Sequence, residues 1–218
     1  LGNSVIYPEN NPLPRNQFSC GQSKQAVSVY HTNYPLRFDK MGVVLNYGQT
    51  PLIKSRYLEY INKEEHPYGV NAIVAIMTYT GYNVEDAILI NEGSVKRGLF
   101  NTTYFTMYES TEETMTSGES GSATFSNILS DPNVVDLKLG YDYSVLDDYG
   151  LVKKDTEVHD KMVMIGRKRL SGSKDIPSTD DSVTPKKGQL GIVDKVFMTD
   201  SEDGNRLAKV RIREQRTP

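Results

Sequence analysis

Two adjacent carboxylates, Glu85 and Asp86, are the residues of this chain best suited by type and placement to metal chemistry. They end the block Gly-Tyr-Asn-Val-Glu-Asp at 81–86, which follows an apolar run at 72–77. The length and β-branched content of that run predict a buried strand, and the small and polar residues after it predict its end. Asn83 is placed to N-cap a short helix with both acids in its first turn. A simple helix cap and a metal or substrate site both remain open on these residues alone.

The spacing of the two acids limits how they can bind an ion. Neighbouring side chains diverge by about 100° on a helix and point to opposite faces of a strand, so one carboxylate would reach the ion while the other orients or acts through water. Magnesium usually takes one or two carboxylates plus substrate phosphates. Phosphoryl transfer commonly uses two ions. The chain contains no Asp-x-Asp-x-Asp cluster of the kind expected at a primary magnesium site.

A second group of polar residues stands about sixty residues upstream, in the blocks Pro-Arg-Asn and Ser-Lys-Gln-Ala. Three prolines predict extended chain over residues 1–20, with Arg15 on a stiff loop. The guanidinium of Arg15 offers a planar fork for phosphate oxygens. Lys24 supplies a point charge, and Gln25 can bond a sugar or base edge. A short helix is predicted over 22–30.

Composition narrows the classes of protein. The 218 residues carry 25 basic and 28 acidic side chains, and a net charge of −3 argues against a free-standing nucleic-acid-binding module. Mean hydropathy is −0.50, which suits either β-structure with solvent-exposed surfaces or a segment whose apolar faces are covered by partners. A single cysteine, Cys20, excludes an intrachain disulfide or a cysteine zinc cluster and favours a reducing compartment. No apolar stretch approaches ~20 residues, so no membrane span is predicted. Leu1 in place of an initiator Met suggests a cut N-terminus.

The periodicity of the chain predicts a β-rich α+β fold. Strands are expected at 43–47, 72–79, 100–109 and 158–167, and short helices at 57–64 and from Ser94 to Gly98. The stretches 110–135 and 171–188 are expected to be a long excursion and a mobile loop, respectively. The chain closes on a hairpin of 190–197 and 207–212, with Asp203-Gly204 as its turn.

The order and spacing of these blocks resemble the second-largest subunit of multisubunit DNA-directed RNA polymerases. The residues that carry the resemblance are Pro-Arg-Asn at 14–16, Lys-Gln-Ala at 24–26 and Gly-Tyr-Asn-Val-Glu-Asp at 81–86. The resemblance covers essentially the whole chain and is strongest over 12–105. The residues in these blocks resemble those of eukaryotic-type and large-DNA-virus enzymes more closely than those of bacterial ones. Together these blocks are highly specific.

The resemblance implies a role for each candidate residue. Asp86, and less directly Glu85, would help hold the second, nucleotide-associated Mg²⁺, while the primary magnesium site belongs to the largest subunit. Arg15 would face the triphosphate of the incoming nucleotide. Lys24 and Gln25 would contact the RNA strand near its growing end. The family commonly has Ser before the Pro-Arg-Asn block where this chain has Leu, which removes a possible hydroxyl contact. Tyr82 and Asn83 are expected to fix the loop that carries the acids.

The resemblance also implies a domain organisation. Residues 1–105 would be part of the hybrid-binding region and contribute to a partial double-psi β-barrel. Residues 106–213 would form a wall, or flap, β-domain. The family chain continues past Pro218 into lysine-rich blocks that contact RNA, so the barrel is expected to be incomplete and the isolated fragment inactive.

In the assembled enzyme the chain would serve transcription, as part of a nucleotidyltransferase. The implied partners are the largest and other polymerase subunits, the DNA template, the RNA transcript and ribonucleoside triphosphates, without a membrane. An intracellular location would follow, in the nucleus, or in the cytoplasm or virion for a viral enzyme.

Two other readings compete with this one. In the first, the chain is a non-catalytic nucleic-acid or subunit interaction module, and the acid pair only caps a helix. Its contact surface would be the basic stretch of the last hairpin: Arg206, Lys209, Arg211, Arg213 and Arg216. In the second, the chain is a small magnesium-dependent hydrolase, and the missing second acid cluster argues against it.

Overall fold

The structure is a computed structural model that describes residues 1–61, 63, 65–114, 121–170 and 177–218. The chain divides into two compact units. The first unit comprises Leu1–Arg37, Val43–Tyr104 and Gln215–Pro218, and the second comprises Phe38–Gly42 and Phe105–Glu214. The predicted assignment of 1–105 and 106–213 to two functional regions remains a prediction.

The described residues are β-rich with few helices, as the sequence predicts. The α-helices are α1 (Leu13–Ser23) and α2 (Glu92–Lys96). The strands are β1 (Met41–Leu45), β2 (Thr102–Thr111), β3 (Ala123–Phe125), β4 (Val134–Val135), β5 (Arg167–Arg169), β6 (Ser178–Asp180), β7 (Ile192–Asp200) and β8 (Arg206–Arg216). Short 3-10 turns lie at Gly2–Ser4, Pro8–Asn10, Tyr34–Leu36, Arg56–Tyr60 and Ile128–Ser130.

The strands form two four-stranded sheets. One has the order β1-β2-β8-β7, and its β7–β8 pair is the predicted terminal hairpin, with Val196 opposite Val210. Its turn is closed by a 2.7 Å bond from the Ser201 amide to the Asn205 carbonyl, and Gly204 takes a φ of +77° there. The other sheet has the order β3-β5-β6-β4, antiparallel except for the β4–β6 pair. The turn chemistry at Asp203-Gly204 therefore predicts this hairpin correctly.

Among the described residues, all buried hydrophobic side chains except Val44 and Leu45 lie in the second unit. Each member of the run Met162–Ile165 is 0% exposed. Val163 packs into one cluster with Ile128, while Met162, Met164 and Ile165 pack into the other. A strand was predicted over 158–167, but the run pairs only through isolated bridges to three different segments, and β5 begins at Arg167.

Two stretches predicted to lack regular structure contribute to the second sheet. The stretch 110–135 supplies β3 and β4, with Ala123, Phe125 and Ile128 buried; residues 115–120 lie outside the described chain. The stretch 171–188 supplies β6 beyond residue 176, the part that is described. The three strands are only two or three residues long, and β6 consists of Ser, Thr and Asp, so local composition gives little signal for them. The mobility of these stretches remains a prediction.

The predicted strand over 72–79 is wrong for the described structure. Residues 72–77 form no strand, and Ile73 and Ile76 are 104% and 98% exposed. Within the part of the chain that the structure describes, no backbone hydrogen bond joins residues 72–78 to another backbone group. The composition of a segment can favour a strand, but a strand also needs a partner to bond with.

A polar network around Asp180 stabilises the second unit. The Asp180 carboxylate accepts hydrogen bonds from the hydroxyl of Tyr143, from the Ser182 hydroxyl and, at 2.9 Å, from the Ser182 amide. The Lys138 ammonium group donates a hydrogen bond to the Ser182 carbonyl. The Lys138 amide donates a second one to the Tyr143 hydroxyl, at 2.9 Å. Tyr143 is buried, and its hydroxyl would be costly to leave without a partner.

The network shifts two pKa values in opposite directions. Burial by itself would raise the pKa of Asp180, but the hydrogen bonds from Ser182 and Tyr143 hold it below its ordinary 3.8. Burial, together with the bond to Asp180, raises the pKa of Tyr143 to about 12. Both shifts favour a Tyr143 hydroxyl that donates to an ionised Asp180.

We predict that Asp180→Ala lowers the free energy of unfolding of the 218-residue chain by roughly 2 kcal/mol at neutral pH, because it leaves the buried Tyr143 hydroxyl without its acceptor. Since the folded pKa of Asp180 is depressed, its contribution is complete above the unfolded value and is lost as pH falls through the folded value. The mutant should therefore lose less stability than wild type on acidification below about pH 4. Urea unfolding followed by circular dichroism at several pH values measures this.

Asp148→Ala is the matched control, since Asp148 is exposed and has no hydrogen bond or ion pair within the described chain. An equal acid slope in wild type and Asp180→Ala would refute the role assigned to Asp180.

Candidate functional site

The two acids lie in a strained turn rather than in a helix. Residues 79–86, here called the acid turn, contain three residues with positive φ: Thr80 at +52°, Gly81 at +77° and Glu85 at +60°. A left-handed backbone is uncommon for a non-glycine residue and is a strong outlier for a β-branched one such as Thr80. Because Glu85 cannot continue a right-handed helix at this φ, the predicted helix from Asn83 is wrong.

Asn83 closes the acid turn with its side chain. Its Oδ1 accepts a hydrogen bond from the amide of Tyr79 at 3.1 Å, and its Nδ2 donates to the carbonyl of Met77 at 2.6 Å. The helix that follows, α2, is capped by Asn91, whose Oδ1 accepts from the Ser94 amide at 2.9 Å. The helix predicted from Ser94 therefore begins earlier, at Glu92, while Gly98, with a φ of +107°, does follow its end. The expected structural role of Asn83 has a direct basis in these two bonds.

Both carboxylates of the acid turn face solvent. Glu85 and Asp86 are exposed, and neither has a hydrogen bond or ion pair with another residue in the described part of the chain. Since no helix begins at these residues, the reading of the pair as a helix cap loses its basis. Four carboxylate oxygens are thus left without protein partners at one turn.

Arg15 lies in the first turn of α1, not on the predicted extended loop. Pro12 is the N-cap residue, and its carbonyl accepts hydrogen bonds from the amides of Arg15 at 3.0 Å and Asn16 at 3.4 Å. Proline is tolerated at helix starts, where its missing N–H and fixed φ cost nothing. Prolines upstream of Arg15 are therefore equally compatible with a loop and with a helix N-terminus. The Asn16 side chain donates to the Pro8 carbonyl at 2.9 Å and ties α1 to the turn before it.

The positive charge of Arg15 does not stabilise helix α1. A cation in the first turn meets the positive end of the helix macrodipole, and the first turn of α1 contains no acidic residue. The guanidinium lies 5.7 Å from the centre of the Phe18 ring and is otherwise open to solvent. A permanently charged group held at an unfavourable helix end is available to an anionic ligand.

Lys24 and Gln25 follow the C-terminal end of the same helix. The helix ends at Ser23, so the helix predicted over 22–30 is wrong; Lys24 is the C-cap, and the Gln25 amide bonds the Gln22 carbonyl at 3.0 Å. Both side chains are exposed. Nine residues at 3.6 per turn carry the chain about 13 Å along the axis and about 180° around it. Arg15 and Lys24 therefore project to opposite sides of α1.

All five predicted site residues lie in the first unit. Helix α1 carries Arg15 near its start and is followed directly by Lys24 and Gln25, whereas the acid pair lies on its own turn. Among the described residues, no hydrogen bond or ion pair joins the two groups, and no three His, Cys, Asp or Glu side chains cluster as a metal site would require. Convergence of the five residues on one substrate remains a prediction.

Three of the five basic residues of the last hairpin, Lys209, Arg211 and Arg213, form ion pairs inside the second unit. Lys209 lies 3.6 Å from Glu109, and Arg213 lies 3.5 Å from Asp194. Arg211 is 3% exposed and donates from Nε to the same Asp194 at 2.8 Å. These side chains stabilise the sheet, so they give no support to the interaction-module reading.

A comparison with known proteins places the chain in a family. The profile of the family described as RNA polymerase Rpb2, domain 6, matches residues 1–218, so the chain belongs to that family. It is similar to DNA-directed RNA polymerase subunit Rpo2 of Saccharolobus shibatae, at 36% identity over 98% of this chain and 19% of the relative.

Eukaryotic relatives match to the same degree. DNA-directed RNA polymerase II subunit 2 of Arabidopsis thaliana is 35% identical over 98% of the chain, and subunit RPB2 of Schizosaccharomyces pombe is 34% identical over 100%; the chain covers 18% of each. The chain thus spans about a fifth of the length of the relatives it matches. Of the helices that are described, none has the length and apolar character needed to cross a membrane.

The arrangement of the acids predicts weak metal binding by the chain alone. We expect the 218-residue chain to bind Mg²⁺ with a dissociation constant well above the micromolar range, because a hard cation that keeps most of its waters gains little from one or two exposed carboxylates. Isothermal titration calorimetry with MgCl₂ tests this, with Asp86→Ala as the control chain. Tight, stoichiometric binding that Asp86→Ala abolishes would show a self-contained site and favour the hydrolase reading.

Proposed function

We propose that this chain supplies the nucleotide side of template-directed RNA synthesis in a DNA-directed RNA polymerase. The observation that carries the proposal is the match of the Rpb2 domain 6 profile to all 218 residues, including the blocks that contain Arg15, Lys24 and the acid pair. The carboxylates of Glu85 and Asp86 support it, because they are exposed and have no hydrogen bond or ion pair among the described residues.

The donor set of the acid turn fits magnesium. Asp86, and less directly Glu85, would hold the second Mg²⁺ by carboxylate oxygens, the ligand type that this ion prefers. With only two carboxylates at the turn, the remaining ligands would come from the nucleotide phosphates and the largest subunit. When bound, magnesium neutralises negative charge on the phosphates.

The residues of α1 would divide the remaining work between two ligands. In RNA synthesis the 3′-hydroxyl of the transcript attacks the α-phosphate of a ribonucleoside triphosphate, and pyrophosphate leaves with its added charge. The guanidinium of Arg15 would bind phosphate oxygens and stabilise that charge as it develops. Lys24 and Gln25, on the other side of the helix, would contact the backbone of the transcript, which any sequence presents equally.

The finer architecture belongs to the same proposal. Residues 1–105 would be part of a hybrid-binding region built on a double-psi β-barrel, and 106–213 would form the wall, or flap. The exposed apolar run at 72–77 would then bond with strands elsewhere in the polymerase, which fits its lack of backbone partners among the described residues. The partners would be the largest and other subunits, DNA template, RNA and nucleotides. The enzyme would act in the nucleus, or in the cytoplasm or virion of a viral system.

Asp86→Ala in the assembled polymerase should slow nucleotide addition by 10²-fold or more, roughly 3 kcal/mol in activation free energy, with assembly preserved. The reason is the loss of a carboxylate that holds the nucleotide's magnesium. Primer extension with purified mutant enzyme measures the rate. Asp148→Ala, an exposed aspartate outside the site, should behave as wild type. A rate for Asp86→Ala within about twofold of wild type would remove the acid pair from the proposed site.

Arg15→Ala should raise the KM for nucleotide and lower kcat while leaving RNA binding almost unchanged, because its guanidinium is assigned to the triphosphate. Arg15→Lys keeps the charge without the planar fork and should recover only part of the loss. Arg56→Ala, at an exposed arginine that begins a 3-10 turn of the same unit, is the control. Steady-state kinetics and a filter-binding assay separate the two effects. Weakened transcript binding with normal nucleotide incorporation would contradict the assignment.

A further inference from the structure

The acid turn has few constraints other than Asn83. The backbone of residues 72–78 has no backbone hydrogen bond among the described residues, and Ile88, two residues beyond Asp86, is 82% exposed. Inside the turn, backbone bonds run only between near neighbours, such as Tyr82 to the Tyr79 carbonyl at 3.0 Å. The side chain of Asn83 is partly buried and spans the turn, from Met77 before it to Tyr79 within it.

The strained backbone of the acid turn indicates that the two hydrogen bonds of Asn83 enforce its conformation. Thr80 and Glu85, both non-glycine residues, hold positive φ values within six positions of each other. Such conformations persist only where the surroundings enforce them. Without that constraint, Thr80 and Glu85 would return to an ordinary backbone conformation. The carboxylates of the acid pair would then point in a different direction.

We propose that Asn83 is a positioning residue for the acid pair: its two hydrogen bonds close the turn and fix the direction in which Asp86 and Glu85 present their carboxylates. The proposal assigns Asn83 no contact with nucleotide or metal: its Oδ1 and Nδ2 each already bond the backbone of the chain. The inference rests on the proposed function, because it assumes that the acid pair serves nucleotide addition.

A positioning role predicts non-additive effects in the assembled polymerase. Asn83→Ala should lower the rate of nucleotide addition roughly 10- to 100-fold, the cost of misplacing a catalytic group by about 1 Å. The Mg²⁺ concentration that gives half the maximal rate should rise several-fold. The double variant Asn83→Ala/Asp86→Ala should be no slower than Asp86→Ala alone, since Asn83 acts only through the acids. A general structural defect would multiply the two losses instead.

A second readout does not depend on activity. Hydrogen exchange followed by mass spectrometry on the assembled polymerase should show faster exchange at the Tyr79 amide in Asn83→Ala, because that amide loses its acceptor. Asn127→Ala is the matched control, since it removes a side-chain bond of 3.2 Å to the Leu129 amide in the second unit. It should leave both the Tyr79 exchange and the Mg²⁺ dependence unchanged.

The outcomes separate the inference from the proposed function. A normal rate for Asp86→Ala would overturn the proposed function, and with it the inference. An impaired Asp86→Ala whose defect multiplies with that of Asn83→Ala, or an unchanged Tyr79 exchange in Asn83→Ala, would overturn the inference alone. Faster exchange with non-additive rates would support it.

Discussion

The Asn83 side chain, which donates a hydrogen bond to the Met77 carbonyl and accepts one from the Tyr79 amide, holds its turn in a unit with few buried hydrophobic side chains. Of the described hydrophobic residues of this first unit only Val44 and Leu45 are buried. Hydrophobic packing therefore cannot hold the candidate site in place in the way that it holds the second unit together. Asn and Asp side chains that bond nearby backbone groups hold loops without a core. Asn16 uses the same device at the start of α1, through the Pro8 carbonyl. Each asparagine stands beside a candidate functional residue and shapes the backbone that carries it.

The second unit is held in a different way. The side chains of Met162–Ile165 pack into two separate hydrophobic clusters. Arg211 is buried with its guanidinium 4.7 Å from the centre of the Phe105 ring, and its charge is paired with Asp194. Removing one member of such a pair leaves the other charge buried and unmet. This unit is a self-contained core, whereas the first unit presents its apolar side chains outward.

The contrast explains which features the sequence predicts. The terminal hairpin and strand β2 follow from local signals, the Asp203-Gly204 turn and a run of alternating β-formers, and their partner strands lie within this chain. The apolar run at 72–77 carries an equally strong signal, yet composition does not say which segment supplies the bonding partner. The start of α1 was missed for another reason, since proline restricts φ in the same way in a loop and in a first helical turn. Residue type and spacing single out the acids and Arg15 as candidates, which remain a prediction, whereas the positive φ of Glu85 has no sequence signal of its own.

Helix α1 imposes a constraint that a loop would not. A flexible loop would let Arg15 and Lys24 move independently, whereas a helix keeps them about 13 Å apart along the axis and on opposite sides. If Arg15 binds the triphosphate and Lys24 the transcript, as we propose, the two groups must not compete for the same phosphate, and this separation would prevent it. The same rigidity couples them, because any rotation of α1 that improves one contact moves the other. The bond from Asn16 to Pro8 resists that rotation at the Arg15 end. On the roles proposed for Arg15 and Lys24, the position of the nucleotide contact would therefore be tied to that of the transcript contact through the helix itself.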